Sequence, residues 1–65
     1  MPIISVVIAE GRSTERKRAF IRALTQATVE VMDVRPEQVR VILQETKLEH
    51  YAIAGVTFAE KEAAK

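Results

Sequence analysis

Two strand-like stretches on either side of one long amphipathic segment constrain the fold of this chain more than any other feature. Residues Ile3–Ile8 are almost continuously apolar and rich in β-branched side chains, which is typical of a strand buried on both faces. Residues Val39–Thr46 alternate between apolar and polar side chains, as a second strand does. A strand, a helix and a strand within about 45 residues predict a βαβ unit whose two strands run parallel.

The segment Thr14–Met32 between the strands has helical periodicity and an unusually wide apolar side. Ser13 is a suitable N-cap, and Glu15 lies in the first turn near the positive end of the helix dipole. The apolar residues cover nearly half of the helix circumference: Phe20, Ala23, Leu24, Ala27 and Val31, extended by Ile21 and Met32. The opposite side carries Arg18, Arg22, Gln26 and Glu30. We expect Phe20 and Leu24 in the core, and we expect part of this wide apolar side to contact a neighbouring subunit.

The remaining segments predict a connector and a small C-terminal hairpin. Asp33–Glu37 forms the connector, in which Pro36 suits a short turn rather than continued helix. His50–Phe58 indicates a hairpin or edge segment around a glycine, and the alanine-rich, charged tail Ala59–Lys65 is compatible with a helix or a frayed end.

The chain is too short to be stable by itself without help. It has 65 residues, no cysteine and one histidine, which excludes disulfides, thiolate zinc sites and histidine clusters. A parallel sheet needs both faces covered, and one helix covers only one of them. We therefore predict an α+β fold comprising one domain of residues 1–65: a βαβ unit with a C-terminal hairpin, whose two-stranded parallel sheet is completed by dimerisation.

Charge and hydropathy exclude several classes of partner. Ten basic and nine acidic residues give a net charge of +1, so we expect neither nucleic acid nor a membrane as partner. The basic residues Arg16, Lys17, Arg18 and Arg22 share the helix with Glu15 and Glu30 and are spread around its circumference, which indicates a solvated helix face. The longest apolar run is far too short to cross a bilayer, and there is no signal-peptide pattern. We expect a cytoplasmic protein.

The sequence lacks most of the residue sets that carry catalysis. The single histidine, His50, is expected in an exposed loop, and there is no phosphate-binding loop or metal-ligand cluster, so no cofactor and no metal are expected. Pro2 is the most informative residue. Once Met1 is removed, Pro2 carries a secondary amine that an apolar, cationic surrounding would keep unprotonated, and such an amine can act as general base or acid. The alternative is structural, because a proline that begins a strand loses no ladder hydrogen bond.

Two arginines lie at positions where a bound anion would be stabilised. Arg12 follows Gly11 just before the helix, where free N–H groups favour anions. Arg40 lies in the second strand with the parity of Ile42, and a charge in an apolar strand needs a partner or a cleft. Guanidinium groups bind carboxylates through two hydrogen bonds. Alternatively, each arginine forms an ion pair with an acidic residue of a neighbouring chain, for which Glu10, Glu37 and Glu45 are candidates.

In order and spacing, these features resemble the 4-oxalocrotonate tautomerase family. Pro2, a six-residue strand and the motif Glu-Gly-Arg-Ser at residues 10–13 resemble the family's opening. Val-Arg-Val-Ile at residues 39–42 resembles its second strand, and His-Tyr-Ala-Ile-Ala-Gly at residues 50–55 resembles its hairpin. Tyr51 stands where the family typically has phenylalanine, and alanines occupy two positions at which glycines are common.

The resemblance implies both an assembly and an activity. It implies a dimer with a four-stranded sheet and a homohexamer built as a trimer of dimers. It also implies a cofactor-independent isomerase of aromatic degradation, an enol–keto tautomerase acting on a small 2-hydroxydienoate or related enol acid. In that interpretation Pro2 is the general base and acid, Arg40 holds a carboxylate and the developing oxyanion, Arg12 binds the far carboxylate of a dicarboxylate, and Tyr51 forms an aromatic wall of the substrate site.

Two other hypotheses remain open at this stage. The chain could be a relative that hydrates or dehalogenates an unsaturated acid, although no obvious extra acidic residue for activating water stands in the matching segments. It could also be a non-catalytic assembly subunit, either a structural partner in a mixed oligomer or a protein that binds its partner through the basic helix.

Overall fold

The computed structural model of the chain describes residues 1–64. It contains a larger βαβ part followed by a short C-terminal arm. The elements in chain order are β1 (Ile3–Ala9), α1 (Thr14–Met32), a 3₁₀ turn (Pro36–Gln38), β2 (Arg40–Thr46), a second 3₁₀ turn (Leu48–His50), β3 (Ala52–Ile53), β4 (Val56–Thr57) and α2 (Phe58–Ala63). No helix within residues 1–64 is long and apolar enough to cross a bilayer.

Strands β1 and β2 pair in parallel along their full length, as the sequence predicts. Ile3 lies opposite Arg40 and Ala9 lies opposite Thr46. The ladder extends beyond the strand at each end, through a hydrogen bond of 3.0 Å from the Arg40 N–H to the Pro2 carbonyl and one of 2.9 Å from the Glu10 N–H to the Thr46 carbonyl. The predicted βαβ unit is confirmed.

Helix α1 begins and ends where its capping residues require. The Ser13 hydroxyl accepts a hydrogen bond of 3.2 Å from the Arg16 N–H, so Ser13 is the N-cap that the sequence predicts. The helix ends at Asp33, whose φ of 54° and ψ of 53° place it in the left-handed region, a conformation that stops the helical hydrogen-bond pattern.

The helix face that packs on the sheet differs from the predicted one. The half-buried helix residues are Lys17, Ile21, Leu24, Thr25, Thr28 and Val29. By contrast, Phe20 is 40% exposed and Val31 is 82% exposed, and the alanines between them are exposed as well. The expectation of Phe20 in the core is therefore wrong for this chain by itself, whereas Leu24 is half-buried as expected.

Two threonines explain this rotation of the helix. The hydroxyl of Thr25 donates to the Ile21 carbonyl at 2.9 Å, and that of Thr28 donates to the Leu24 carbonyl at 2.7 Å. With their hydroxyls satisfied by the helix backbone, both side chains can pack on the sheet at little polar cost. The wide apolar side therefore divides into one face against the sheet and a second face, along Phe20 to Val31, that is exposed in the single chain.

The sheet is covered on one face only. Ile4, Val6 and Ile8 are half-buried beneath the helix, whereas Val7 is 61% exposed and Ile42 is 50% exposed on the other face. None of the residues 1–64 is fully buried. The radius of gyration is 15.2 Å, compared with about 11 Å for a compact chain of this length. The burial of β1 on both faces that the sequence predicts is not reached within one chain.

The predicted hairpin is present, with strands of two residues each and a turn with two positive φ angles. Ile53 pairs with Val56, and the turn residues Ala54 and Gly55 have φ angles of 53° and 81°, as a two-residue hairpin turn with a right-handed strand twist demands. The tail that follows is helical from Phe58 to Ala63, which settles the open choice between a helix and a frayed end for these residues.

A reciprocal cap fixes the start of α2. The Glu60 N–H donates to the Thr57 hydroxyl at 3.1 Å, and the Thr57 N–H donates to the Glu60 carboxylate at 2.7 Å. The hydrogen bonds from the Thr57 backbone and hydroxyl hold the pKa of the Glu60 carboxyl below its usual value. The cap ties the helix directly to the end of the hairpin.

Candidate active site

The start of the sheet brings Pro2 and Arg40 to the same end of the molecule. The hydrogen bond between the Arg40 N–H and the Pro2 carbonyl joins the two backbones. Met1 precedes β1 and is 70% exposed.

The side chains of these two residues nevertheless lie on different faces of the sheet. Pro2 is half-buried and has the parity of Ile4, which faces the helix. Arg40 is exposed and has the parity of Ile42, on the uncovered face. Its Nη1 donates to the Gln38 carbonyl at 3.4 Å. Arg40 therefore lies on the uncovered face of the sheet.

Arg12 lies beyond the opposite end of β1 from Pro2. The strand between them has seven residues, so it separates its two ends by about 20 Å. Gly11 makes the turn with a φ of 122°, a region that side-chain-bearing residues rarely adopt. The Arg12 Nη1 donates to the Ala9 carbonyl at 3.2 Å, which holds the guanidinium near the end of the strand. Within one chain, Arg12 and Pro2 cannot contact the same small substrate.

Tyr51 belongs to the C-terminal arm and also follows the far end of the sheet. Its ring stacks on the Phe58 ring with centroids 4.3 Å apart and an interplanar angle of 27°. The Lys61 Nζ lies 5.8 Å from the centroid of Phe58. Because the Tyr51 ring is 37% exposed, it offers an aromatic surface that is rigidly held and accessible.

A cleft next to Arg12 contains two further cationic residues. It has a volume of about 330 Å³ and is lined by Ile8, Arg12, Arg16, Lys17 and Phe20. The Lys17 Nζ forms an ion pair with the Glu45 carboxylate at 2.9 Å. The charge pattern predicted a solvated helix face for Arg16 and Lys17 and did not indicate this cleft. The spacing of Arg16 and Phe20, four residues apart on one side of a helix, is the signal that could have indicated it.

Three arginines at these positions have no acidic partner in the described part of the chain. The ion pairs among residues 1–64 are Lys17–Glu45 and Arg35–Glu37, and neither involves Arg12, Arg16 or Arg40. The alternative hypothesis, in which Arg12 and Arg40 form ion pairs with acidic residues of a neighbouring chain, stays a prediction. No group of three or more possible metal-ligating side chains occurs within residues 1–64.

Comparison with known proteins assigns this architecture to a family. The family model described as "Tautomerase enzyme" matches residues 2–61. A probable tautomerase of Ralstonia nicotianae is 48% identical over 65 residues, covering 100% of this chain and 89% of the relative. A 2-hydroxymuconate tautomerase of Bacillus subtilis is 34% identical over 62 residues, covering 95% of this chain and 100% of the relative.

Solved structures agree with the fold as well as with the sequence. A 4-oxalocrotonate tautomerase isozyme from Methylibium petroleiphilum superposes with a TM-score of 0.94 at 45% identity, covering 98% of this chain and 100% of that one. A heterohexamer 4-oxalocrotonate tautomerase from Chloroflexus aurantiacus gives a TM-score of 0.87 at 38% identity, covering 92% and 97%. Fold and comparisons together define an isomerase that moves a proton within its substrate. The chain belongs to the tautomerase family, as the sequence resemblance predicts.

Proposed function

We propose that this chain is a cofactor-independent enol–keto tautomerase that acts on a small 2-hydroxydienoate or a related enol acid. The observation that carries the proposal is the Arg40 guanidinium, which is exposed beside the strand end that begins with Pro2 and has no acidic partner among residues 1–64. The Bacillus subtilis relative, described as a 2-hydroxymuconate tautomerase, supports this substrate class.

Pro2 serves as the general base and acid in this proposal. Removal of Met1 converts the Pro2 ring nitrogen from an amide, which has no basic lone pair, into a secondary amine. Pro2 is half-buried, and partial burial together with nearby guanidinium charge disfavours the protonated amine. An amine that is unprotonated near neutral pH can accept a proton from the substrate and return it.

The reaction is a proton shift within one substrate molecule. The Pro2 amine takes the proton of the 2-hydroxyl group, the enol oxygen becomes the ketone oxygen, and the conjugated electrons move to a carbon that receives the proton from the Pro2 ammonium. Arg40 binds the carboxylate next to this oxygen and stabilises the negative charge that develops on it. Substrate and product are isomers, so the reaction needs no oxidant, reductant or cofactor.

Arg12 and Tyr51 contribute to this reaction through a neighbouring copy of the chain. Both lie beyond the end of the sheet that is far from Pro2, so each serves a Pro2 that another copy supplies. Arg12 binds the far carboxylate of a dicarboxylate, and Tyr51 provides an aromatic wall. The second apolar face of α1 and the uncovered face of the sheet provide two surfaces for association.

We propose a homohexamer, a trimer of dimers in which each dimer joins two sheets into one of four strands. The exposed apolar residues Val7, Val31 and Ile42 need such cover. The Chloroflexus aurantiacus relative is described as a heterohexamer, which supports six subunits for this chain too.

The decisive experiment combines intact mass with a ketonisation assay. The mass of the protein purified from its native host shows whether Met1 is absent, and turnover of 2-hydroxymuconate is followed by ultraviolet absorbance. We expect full activity in the processed protein and none in a form that retains Met1. Equal turnover by the Met1-bearing form would exclude the amine mechanism, and halide release from a haloacrylate would indicate a dehalogenase instead.

A further inference from the structure

The cleft next to Arg12 carries more positive charge than one carboxylate-binding arginine provides. It lies where the end of β1 meets the first two turns of α1, and Arg12, Arg16 and Lys17 all line it. The family resemblance assigns a role to only one of these three residues, Arg12.

The three cations differ in how much of their charge is already paired. The Lys17 ammonium is bound to the Glu45 carboxylate at 2.9 Å. The Arg12 guanidinium donates one hydrogen bond, to the Ala9 carbonyl. The Arg16 side chain makes no ion pair and no hydrogen bond with any of the residues 1–64; only its backbone N–H is bound, to the Ser13 hydroxyl. The cleft therefore presents two guanidinium groups that are available to an anion.

The rest of the lining suits a hydrocarbon chain. Ile8 forms part of the cleft from the strand, and Phe20, which is 40% exposed, forms part of it from the helix. Phe20 is four residues after Arg16, so the two side chains are neighbours on one side of α1. A ligand with an anionic end and an unsaturated chain matches a cleft with a cationic and an apolar part.

We propose that Arg16 is a specificity-determining residue that binds, together with Arg12, the far carboxylate of a dicarboxylate enol substrate. The inference rests on the proposed tautomerase function. A carboxylate has two oxygens with about four acceptor sites, enough for two guanidinium groups at once. The Ser13 cap holds the helix turn that carries Arg16 next to the turn that carries Arg12. The site then prefers dicarboxylates over monocarboxylates more strongly than Arg12 alone would allow.

The test compares two substrates that differ only in the far carboxylate. These are 2-hydroxymuconate and 2-hydroxypenta-2,4-dienoate, assayed with the wild type and with Arg16→Gln, Arg16→Lys and Arg18→Gln. Arg18 is the matched control, since it is an exposed arginine on the same helix that does not line the cleft. Removing a charged hydrogen-bond donor to the far carboxylate should weaken its binding by about tenfold.

We expect Arg16→Gln to lower the ratio of kcat/KM for the dicarboxylate to that for the monocarboxylate by about tenfold, mainly through KM. Arg16→Lys should keep part of the preference because it keeps the charge but loses the two-pronged geometry. Arg18→Gln should leave the ratio unchanged. An unchanged ratio in Arg16→Gln, or an equal loss with Arg18→Gln, would overturn the inference.

A binding measurement separates this inference from the proposed function. Calorimetry with trans,trans-muconate and sorbate, unreactive dienoates of the same geometry with two carboxylates and one, tests the cleft without turnover. Suppose that neither hydroxydienoate is converted, but muconate binds more tightly than sorbate and Arg16→Gln removes this difference in affinity. This result would contradict the proposed activity and support the proposed carboxylate site. If the hydroxydienoates are converted but Arg16→Gln does not change the affinity for muconate, the result would contradict the role of Arg16 and support the proposed activity.

Discussion

The backbone N–H of Arg40 donates a hydrogen bond of 3.0 Å to the Pro2 carbonyl, yet the side chains of these two residues lie on opposite faces of the sheet. Pro2 is on the face that α1 covers, and the Arg40 guanidinium is on the face that is bare in one chain. Pro2, the proposed base, and Arg40, the proposed donor to the oxyanion, are therefore adjacent in the sheet, but within one chain their side chains do not line the same cavity. We expect packing of another copy against the bare face to place a guanidinium where a substrate can use it.

Replacing Pro2 tests the amine directly. We expect Pro2→Ala to lower kcat for ketonisation of 2-hydroxymuconate by at least about 100-fold, since the primary amine left after removal of Met1 is no longer held in position by a ring and general acid–base catalysis depends on that position. The matched control is Pro36→Ala, which removes the other proline of the chain, a residue of the 3₁₀ turn before β2 that carries no terminal amine. Unchanged turnover in Pro2→Ala, with mass spectrometry confirming the substitution, would contradict the assignment.

Substitutions of Arg40 and Arg12 should affect different kinetic constants. Arg40→Ala removes the group that stabilises charge developing in the transition state, so we expect kcat to fall about 100-fold. Arg12→Ala removes binding of the far carboxylate, so we expect KM for a dicarboxylate to rise about tenfold with a smaller change in kcat. Arg35→Ala is the control, because its exposed guanidinium already pairs with Glu37 at 3.9 Å. Small, equal effects of both active-site substitutions on kcat and KM would count against these roles.

The bare face of the sheet should be required for assembly. Val7 is 61% exposed, more than the apolar residues Ile3 and Ile42 of that face, and Val7→Glu would bury an unpaired carboxylate on association, at a cost of several kcal/mol. We expect this variant to elute as a smaller species in size-exclusion chromatography with light scattering. Gln26→Glu introduces the same side chain on the polar side of α1 and should not change the mass. An unaltered assembly in Val7→Glu would show that the association surface lies elsewhere.

The order and direction of the main elements could be predicted because they depend on local patterns. The β-branched run after Pro2, the helical period after Ser13 and the alternation that follows Val39 each encode one element, and a parallel pairing of the strands follows from the helix between them. The match at Pro2, Arg12, Arg40 and Tyr51 depends only on sequence order. These features did not require knowledge of any tertiary contact.

The rotation of α1 and the cleft beside it could not be predicted in the same way. When threonines are counted as polar, the helical pattern predicts that Phe20 packs on the sheet. In the structure, Thr25 and Thr28 donate their hydroxyl hydrogen bonds to the helix backbone and occupy the face toward the sheet instead. The assignment of Arg16 depends on how the first helix turns sit over the end of β1, which no periodicity specifies. Both features arise from tertiary packing.

The turn of the C-terminal hairpin should be stabilised by glycine at Ala54. With alanine at this position, a φ of 53° destabilises the folded state by about 1–2 kcal/mol. Glycine removes this strain but lowers the free energy of unfolding by about 0.5–1 kcal/mol, because it is freer than alanine in the unfolded chain. We expect Ala54→Gly to raise the denaturation midpoint slightly. Ala52→Gly is the control within β3 and should lower it. Both are compared at one protein concentration, since unfolding and dissociation are coupled, and a lower midpoint in both would contradict the strain argument.

Mixing two defective variants should restore activity if the site is shared between copies. Pro2 and Arg12 are separated by the length of β1, about 20 Å, so we expect a complete site to take Pro2 from one chain and Arg12 from another. In mixed assemblies of Pro2→Ala and Arg12→Ala, about one site in four combines an intact Pro2 with an intact Arg12. We therefore expect kcat/KM for 2-hydroxymuconate to recover toward a quarter of the wild-type value after co-expression or joint refolding.

The control for this experiment is a mixture of Pro2→Ala with the double variant Pro2→Ala, Arg12→Ala, which contains no intact Pro2 and should stay inactive. If both residues of a site came from the same chain, mixing the two single variants could create no intact site. Activity would then equal the average of the separate proteins, and the shared site would be excluded. The distance along β1 argues for recovery, because a substrate small enough to fill a cleft of about 330 Å³ cannot reach both ends of a seven-residue strand.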